Sequence, residues 1–242
     1  MYRQDQTKDL PRYPQIAESL REISENIEEI RAKYRSSDDK VDIMAVTKTV
    51  EPDKINFAVE CGIKLLGENR VQEYLSKKDS YDKSAQVQFI GHLQTNKVKY
   101  IINDVSMIQS VDSIRLAGEI DRLAKKNNRV MDILLEVNIG DELSKSGVSA
   151  NELFALAEQA CELENVRIKG LMAIPPIGSD EAVFAHMKEL FEALKAKKLP
   201  NTDISVLSMG MSGDYELAVK HGSNLVRIGT RLFGARDYSK SK

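Results

Sequence analysis

A lysine at the end of a buried strand is the first residue here that could do chemistry. Lys48 closes the run Met44-Ala45-Val46-Thr47-Lys48. Taken alone, a lysine at a strand end reads as an ordinary surface amine. Partly desolvated, the same amine gives up its proton more easily and can form an imine with a carbonyl. Two glycine loops far along the chain point to an anion. One is Ser208-Met209-Gly210-Met211-Ser212-Gly213, and the other is Gly229-Thr230. Glycines let the backbone approach a phosphate closely, and hydroxyls and free N–H groups can donate to it. Either loop alone reads equally well as a helix-capping turn.

Arg227 lies between these loops in sequence and alternates with Leu225 and Gly229, so the three share one strand face. A guanidinium pointing into a protein interior costs several kcal/mol unless it is paired. Two roles stay open for it: an ion pair with Glu136 or Glu68, or a donor to a ring nitrogen or anion. Asn69 follows the apolar run Leu65-Leu66-Gly67 and is a candidate ligand donor or a helix cap. His92 is a candidate general base or a rim residue. Lys145 lies in the polar stretch Asn138 to Gly147, where it could reach a site. Met172 could pack on a cofactor ring or fill the core.

The elements that must position these residues alternate along the chain. An apolar stripe of Ile16, Leu20, Ile23, Ile27 and Ile30 predicts a helix from Tyr13 to about Arg35. Short runs rich in Ile, Val and Leu then predict strands at 41–46, 64–67, 87–90, 106–110, 131–138, 167–174, 204–207 and 225–228. Helical patterns fall between them at 53–61, 69–78, 95–102, 113–127, 149–163, 180–197 and 213–221, with Asp112 and Ser149 placed to cap two of them. Eight strands, each followed by a helix, in 242 residues favour an α/β single (β/α)8 TIM barrel with an extra N-terminal helix. The alternative, an open doubly wound sheet, prefers a glycine-rich turn after the first strand, where this chain has Lys48-Thr49-Val50-Glu51-Pro52. We expect one domain over 1–242, with 1–13 a loose arm and 237–242 a flexible tail. Barrel sites form at the C-terminal strand ends, and phosphates bind after strands seven and eight. The candidate residues fall at those places.

Composition narrows the classes of function. The chain is 42% hydrophobic and 30% charged, with a formal net charge of −2, which calls for neither nucleic acid nor an anionic membrane. Cys61 and Cys161 stand one hundred residues apart in helical patterns, as reduced cysteines of a cytoplasmic protein do. The opening Met-Tyr-Arg-Gln-Asp has no apolar run behind it, so no signal peptide is expected.

Taken together, the motifs resemble a known family. They are Lys48 in Ala-Val-Thr-Lys-Thr, Gly67-Glu68-Asn69-Arg70-Val71-Gln72-Glu73, Phe89 to Lys97, Ser144-Lys145-Ser146-Gly147, Gly170-Leu171-Met172, Leu207 to Ser212, and Arg227-Ile228-Gly229-Thr230. In this order and spacing they resemble the pyridoxal-phosphate homeostasis proteins (YggS-like, also called PROSC). The likeness runs from about residue 15 to 236. It implies a PLP fold-type III barrel of the alanine-racemase kind, without that enzyme's second domain. It implies that Lys48 holds pyridoxal 5′-phosphate (PLP) as a Schiff base, an internal aldimine. Ser208, Gly229 and Thr230 would bind the phosphate, helped by Ser212. Arg227 would face the pyridine nitrogen, with Asn69 beside the ring and Met172 near it. Many relatives carry a second lysine where this chain has Val50, which leaves Lys145 as a second amine, with Lys240 and Lys242 behind it.

An arginine at the ring nitrogen keeps that nitrogen unprotonated and weakens the cofactor as an electron sink. A racemase also needs a second base on the opposite face, and in the related racemases it comes from the missing domain. The expectation is therefore a monomeric PLP holder that shields the aldehyde and passes it to apo-enzymes. The rival is a small amino-acid racemase. A third class is an interaction barrel with no cofactor.

Overall fold

The computed structural model describes residues 12–36, 39–140, 142 and 145–235. Among these, eight parallel strands close a barrel in chain order. They are β1 (Asp42–Val46), β2 (Leu65–Glu68), β3 (Gln86–Phe89), β4 (Met107–Val111), β5 (Met131–Val137), β6 (Val166–Ala173), β7 (Thr202–Ser208) and β8 (Leu225–Ile228). Pairing of β1 with β8, Ala45 opposite Ile228, completes the ring. Every expected strand is present, with no end moved by more than two residues.

The helices are α1 (Pro14–Tyr34), α2 (Pro52–Glu60), α3 (Val71–Lys77), α4 (Ile114–Lys126), α5 (Leu153–Ala160), α6 (Glu181–Ala196), α7 (Tyr215–Lys220) and α8 (Thr230–Phe233). The segment expected as a helix at 95–102 is instead a 3-10 stretch, Thr95–Tyr100. Ser113, not Asp112, caps α4: its hydroxyl accepts from Leu116 N. Ser149 caps the turn ahead of α5: its hydroxyl accepts from Glu152 N and donates to Glu152 Oε2. Residues 1–11 of the expected arm and the tail 237–242, with Lys240 and Lys242, lie outside the described residues. Arg12 and Tyr13 are docked: Arg12 pairs with Asp53 and Glu60, and Tyr13 donates to Asp53 while its ring meets Phe57 edge-on. Helix α1 lays Ile16, Leu20, Ile23 and Ile27 on the core, each full burial contributing about 2 kcal/mol.

Strand parity divides the barrel into two cores. Outward residues such as Ile43, Ala45, Leu66, Phe89 and Ile108 join the helices in the main apolar cluster. Inward residues form small separate clusters: Met44, Ile90 and Leu225 in one, and Met107, Leu134 and Met172 in the other, with Val206 touching both. The inward set is where a strand can hold a polar side chain over the lumen, and several strands do. Among the described residues no helix is long and apolar enough to cross a membrane, and no group of His, Cys, Asp and Glu could hold a metal ion. Both cysteines are free.

Candidate functional site

Lys48 is half-buried in the turn after β1. Val46, the last residue of β1 and two residues before Lys48, lies on the lumen side. The turn closes with Val50 N donating to Thr47 O at 3.1 Å. Thr49 has φ +62°, a left-handed conformation that a β-branched residue rarely adopts. It is held by its own N–H, which donates to Glu73 Oε1 at 2.5 Å.

The β8 side offers an anion cradle next to that turn. Ser212 Oγ accepts from Gly229 N at 3.3 Å and Arg231 N at 3.2 Å, so N–H groups from the start of α8 converge on one oxygen. Gly229 has φ −113° and ψ −83°, and a Cβ there would meet Val46 at 3.5 Å. Such a Cβ would fill the space beside the β1 turn. Gly210 is required by the fold, with φ +94° and a Cβ that would stand 2.5 Å from Ala218 Cβ. Thr230 is exposed at the start of α8.

Arg227 points into the lumen and is 3% exposed. Neither carboxylate expected as its ion-pair partner touches it. Its Nη1 donates to Ser208 O at 2.8 Å and Ser208 Oγ at 2.5 Å, and its Nη2 to Ala173 O at 2.7 Å. Burial pushes its pKa down to about 10, while Glu136 and Asp214 act from a distance to hold it up. Ser208 Oγ in turn donates to Gln109 Oε1 at 2.7 Å, and Gln109 Nε2 donates to Gln88 Oε1 at 2.6 Å. A polar column thus crosses the lumen from β3 to β8. A phosphate could draw on the Ser208 hydroxyl only by displacing Gln109. Gln88 and Gln109 escaped the sequence reading, although each is a polar residue within a strand whose neighbouring positions Val87, Phe89 and Ile108 are apolar.

The remaining candidates divide. Asn69 is half-buried, and its Oδ1 is buried with no hydrogen-bond partner among the described residues. Its backbone packs on Gly91, where a Cβ would lie 2.2 Å from Asn69 O. Met172 is fully buried in the lumen beside Met107 and Leu134. His92 is on the rim, with its side chain 64% exposed and 3.9 Å from Asp112. Lys145 pairs with Glu142 in its own loop and reaches Pro175 O, in the loop after β6, at 3.5 Å. Glu136 is a buried inward carboxyl: Oε1 accepts from Ser146 at 2.9 Å, and Oε2 has no partner among the described residues. Burial raises its pKa against the pull of Ser146 and Arg227. Glu68 faces the opposite way, into the helix layer, where Thr47 and Tyr81 donate to its Oε1.

A cavity of about 390 Å³ opens at the other end of the barrel, among Arg35, Asp42, Gln88, Asn224 and Leu225. It borders strand beginnings, and of the lumen residues named above it meets Gln88, Met107, Val206 and Leu225. The candidate residues lie instead at the C-terminal strand ends.

A barrel with an amine, an anion cradle and an inward guanidinium at its mouth defines a class. The family model for the alanine racemase N-terminal domain matches residues 19–237. The chain is 42% identical over 226 residues to the pyridoxal phosphate homeostasis protein of Aquifex aeolicus, covering 91% of this chain and 98% of that one. It is 34% identical over 230 residues to the protein of that name in Escherichia coli, covering 93% and 98%. The solved structure of PipY of Synechococcus elongatus with PLP bound is similar at 32% identity and TM-score 0.75, covering 90% of this chain and 100% of that chain. The chain belongs to the pyridoxal phosphate homeostasis protein family. An alanine racemase of Clostridium difficile shares the fold at 15% identity and TM-score 0.69, and this chain covers 58% of it.

Proposed function

We propose that the protein is a cytoplasmic, monomeric holder of PLP that serves its homeostasis, keeping the cofactor on Lys48, shielding it and passing it to apo-enzymes. The observation that carries this reading is the pairing of β1 with β8. It sets the half-buried Lys48 turn beside two N–H groups that converge on one oxygen. The donor set fits the cofactor. Ser212, Gly229 and Thr230 take the phosphate, and Ser208 joins them by exchanging Gln109 for the anion. Asn69, with its unpartnered Oδ1, and Met172 flank the ring, and Arg227 donates to its nitrogen. The three bonds of Arg227 leave two of its five N–H groups for a ligand.

Bound there, PLP supplies an aldehyde to the amine and, with its ring nitrogen unprotonated, only a weak electron sink. Arg227 keeps its proton at neutral pH even with its pKa pushed down to about 10, so it does not protonate that nitrogen. His92 stands on the open rim, too exposed to act as a buried base. These features favour holding over racemisation.

The test is the visible spectrum of the purified protein, followed by borohydride reduction and mapping of the modified peptide. The expected result is a yellow protein with a phosphopyridoxyl group on Lys48 and none in Lys48→Ala. A colourless protein that stays unmodified with added PLP overturns the reading. Sustained formation of D-amino acids from L-substrates, lost in Lys48→Ala, would favour the racemase.

A further inference from the structure

The Lys48 turn is gripped from behind by charged side chains. Lys77, at the end of α3, sends its Nζ to Thr47 O at 2.9 Å and Val50 O at 3.5 Å. The same ammonium pairs with Glu73 at 2.8 Å and stands 3.7 Å from Glu68. Glu73 takes the Thr49 N–H, and Glu68 takes the Thr47 hydroxyl at 2.6 Å together with the Tyr81 hydroxyl. Lys77 is 12% exposed and Glu68 is fully buried. These bonds land on the backbone and hydroxyl of residues 47, 49 and 50, on both sides of residue 48. They hold Thr49 in a conformation it would otherwise leave. A brace meant only to pack α3 on the barrel would not need four contacts spread over three residues of one turn.

We propose that Lys77 and Glu73, backed by Glu68 and Tyr81, are positioning residues that fix the Lys48 turn and thereby set how long PLP stays attached. This rests on the reading of Lys48 as the PLP anchor. Release consumes one water: the carbon–nitrogen bond to Lys48 breaks, the aldehyde regains its oxygen from that water, and the amine regains its hydrogens. A turn free to shift exposes that bond to water and carries the amine away from the phosphate cradle. A tight grip therefore means slow release.

The test compares wild type, Lys77→Met, Glu73→Ala and Glu73→Gln, each loaded with PLP and desalted. Borohydride added at intervals fixes what remains on Lys48, and mass spectrometry measures it. Hydrogen exchange at the Thr49 amide is followed in the unloaded proteins. Arg129→Met is the control, because Arg129 bridges Ile102 O and Val105 O in a brace far from the mouth. We expect release at least tenfold faster in Lys77→Met and Glu73→Ala, with faster Thr49 exchange. Glu73→Gln, which keeps an acceptor for Thr49 N, should stay within about threefold of wild type. Equal release rates in wild type, Lys77→Met and Glu73→Ala overturn the proposal. So does an equal acceleration in Arg129→Met at matched loss of melting temperature. A wild type with nothing on Lys48 sinks the anchor reading instead. Thr49 exchange then still shows whether the grip exists. Should Lys77→Met fail to fold, Glu73→Ala and Glu73→Gln decide the matter.

Discussion

The two edges of the barrel mouth are held by different means. On the β1–β2 edge, the Lys48 turn depends on side chains reaching across from α3: Lys77, Glu73 and, through Thr47, Glu68. On the β7–β8 edge, the cradle is mostly backbone: Gly229 N and Arg231 N meet on Ser212, and Arg227 N bonds to Gly210 O at 2.9 Å. Backbone donors survive almost any substitution, whereas a grip made of side chains can be loosened by one. On the proposed function, the backbone edge would serve recognition of the phosphate and the side-chain edge its retention.

The hardest break falls where the backbone edge depends on one side chain. Arg227→Met removes the donor to Ser208 and Ala173 and leaves their oxygens unpaired in the lumen. It should cost about 3 kcal/mol and lower the melting temperature by roughly 6–12 °C. An unchanged thermal midpoint would mean that the polar column is not structural. Gly91→Ala attacks the other edge by volume, since its Cβ would press into the Asn69 backbone. A loss of about 2 kcal/mol is expected in chemical denaturation, with weaker PLP retention because Asn69 must move. Retention at the wild-type level would remove Asn69 from the site.

The charged edge should also show in pH. Burial raises the Glu68 pKa, with Lys77, Thr47 and Tyr81 pulling it down and Glu73 pushing it up. A carboxyl whose folded pKa is raised binds its proton more tightly when folded. Its stabilising contribution is complete below the ordinary glutamate value of about 4.3 and is lost as pH rises through the folded pKa. Glu68→Gln should flatten the fall in stability above that value, read from urea midpoints at a series of pH values. A slope equal to that of wild type would place the titration elsewhere, and Glu136, also raised by burial, is then the group to change. The smallest effect belongs to Ser212→Ala. It removes one hydroxyl but not the N–H groups that meet on it, so about 1 kcal/mol or less is expected, with PLP retention within twofold. A large loss of retention would make the cradle a side-chain device after all, and the contrast between the edges would collapse.

The sequence carried the barrel well because its signals are local. Alternating apolar strands and amphipathic helices specify both faces of every layer, and the lumen parity of Arg227 follows from Leu225 and Gly229 alone. What escaped was partnership. Arg227 was weighed against Glu136 and Glu68, but its bonds go to a hydroxyl and two carbonyls. Carbonyl acceptors have no residue type and so leave no mark in a sequence. The Lys48 grip was hidden for a related reason. Glu73 and Lys77 are only two polar positions within the helical pattern at 69–78, and the closed barrel is what brings that helix face against the β1 turn. Asn69 and Met172 were legible as positions at strand ends, but the orphaned Oδ1 of Asn69 needed coordinates.

Both thiols take on meaning once the cargo is an aldehyde. Cys61 and Cys161 each close a helix that leads into the next strand, at the end of the barrel away from Lys48. Burial, reinforced by Glu60, pushes Cys61 up to about 11, and burial raises Cys161 as well. At neutral pH the Cys61 thiolate is then on the order of one molecule in ten thousand. Thiolates capture aldehydes, and a carrier with a reactive cysteine near its mouth would poison itself with its own freight. On the proposed reading the Lys48 amine meets the cargo, while Cys61 and Cys161 are both held as thiols and lie at the other end of the barrel.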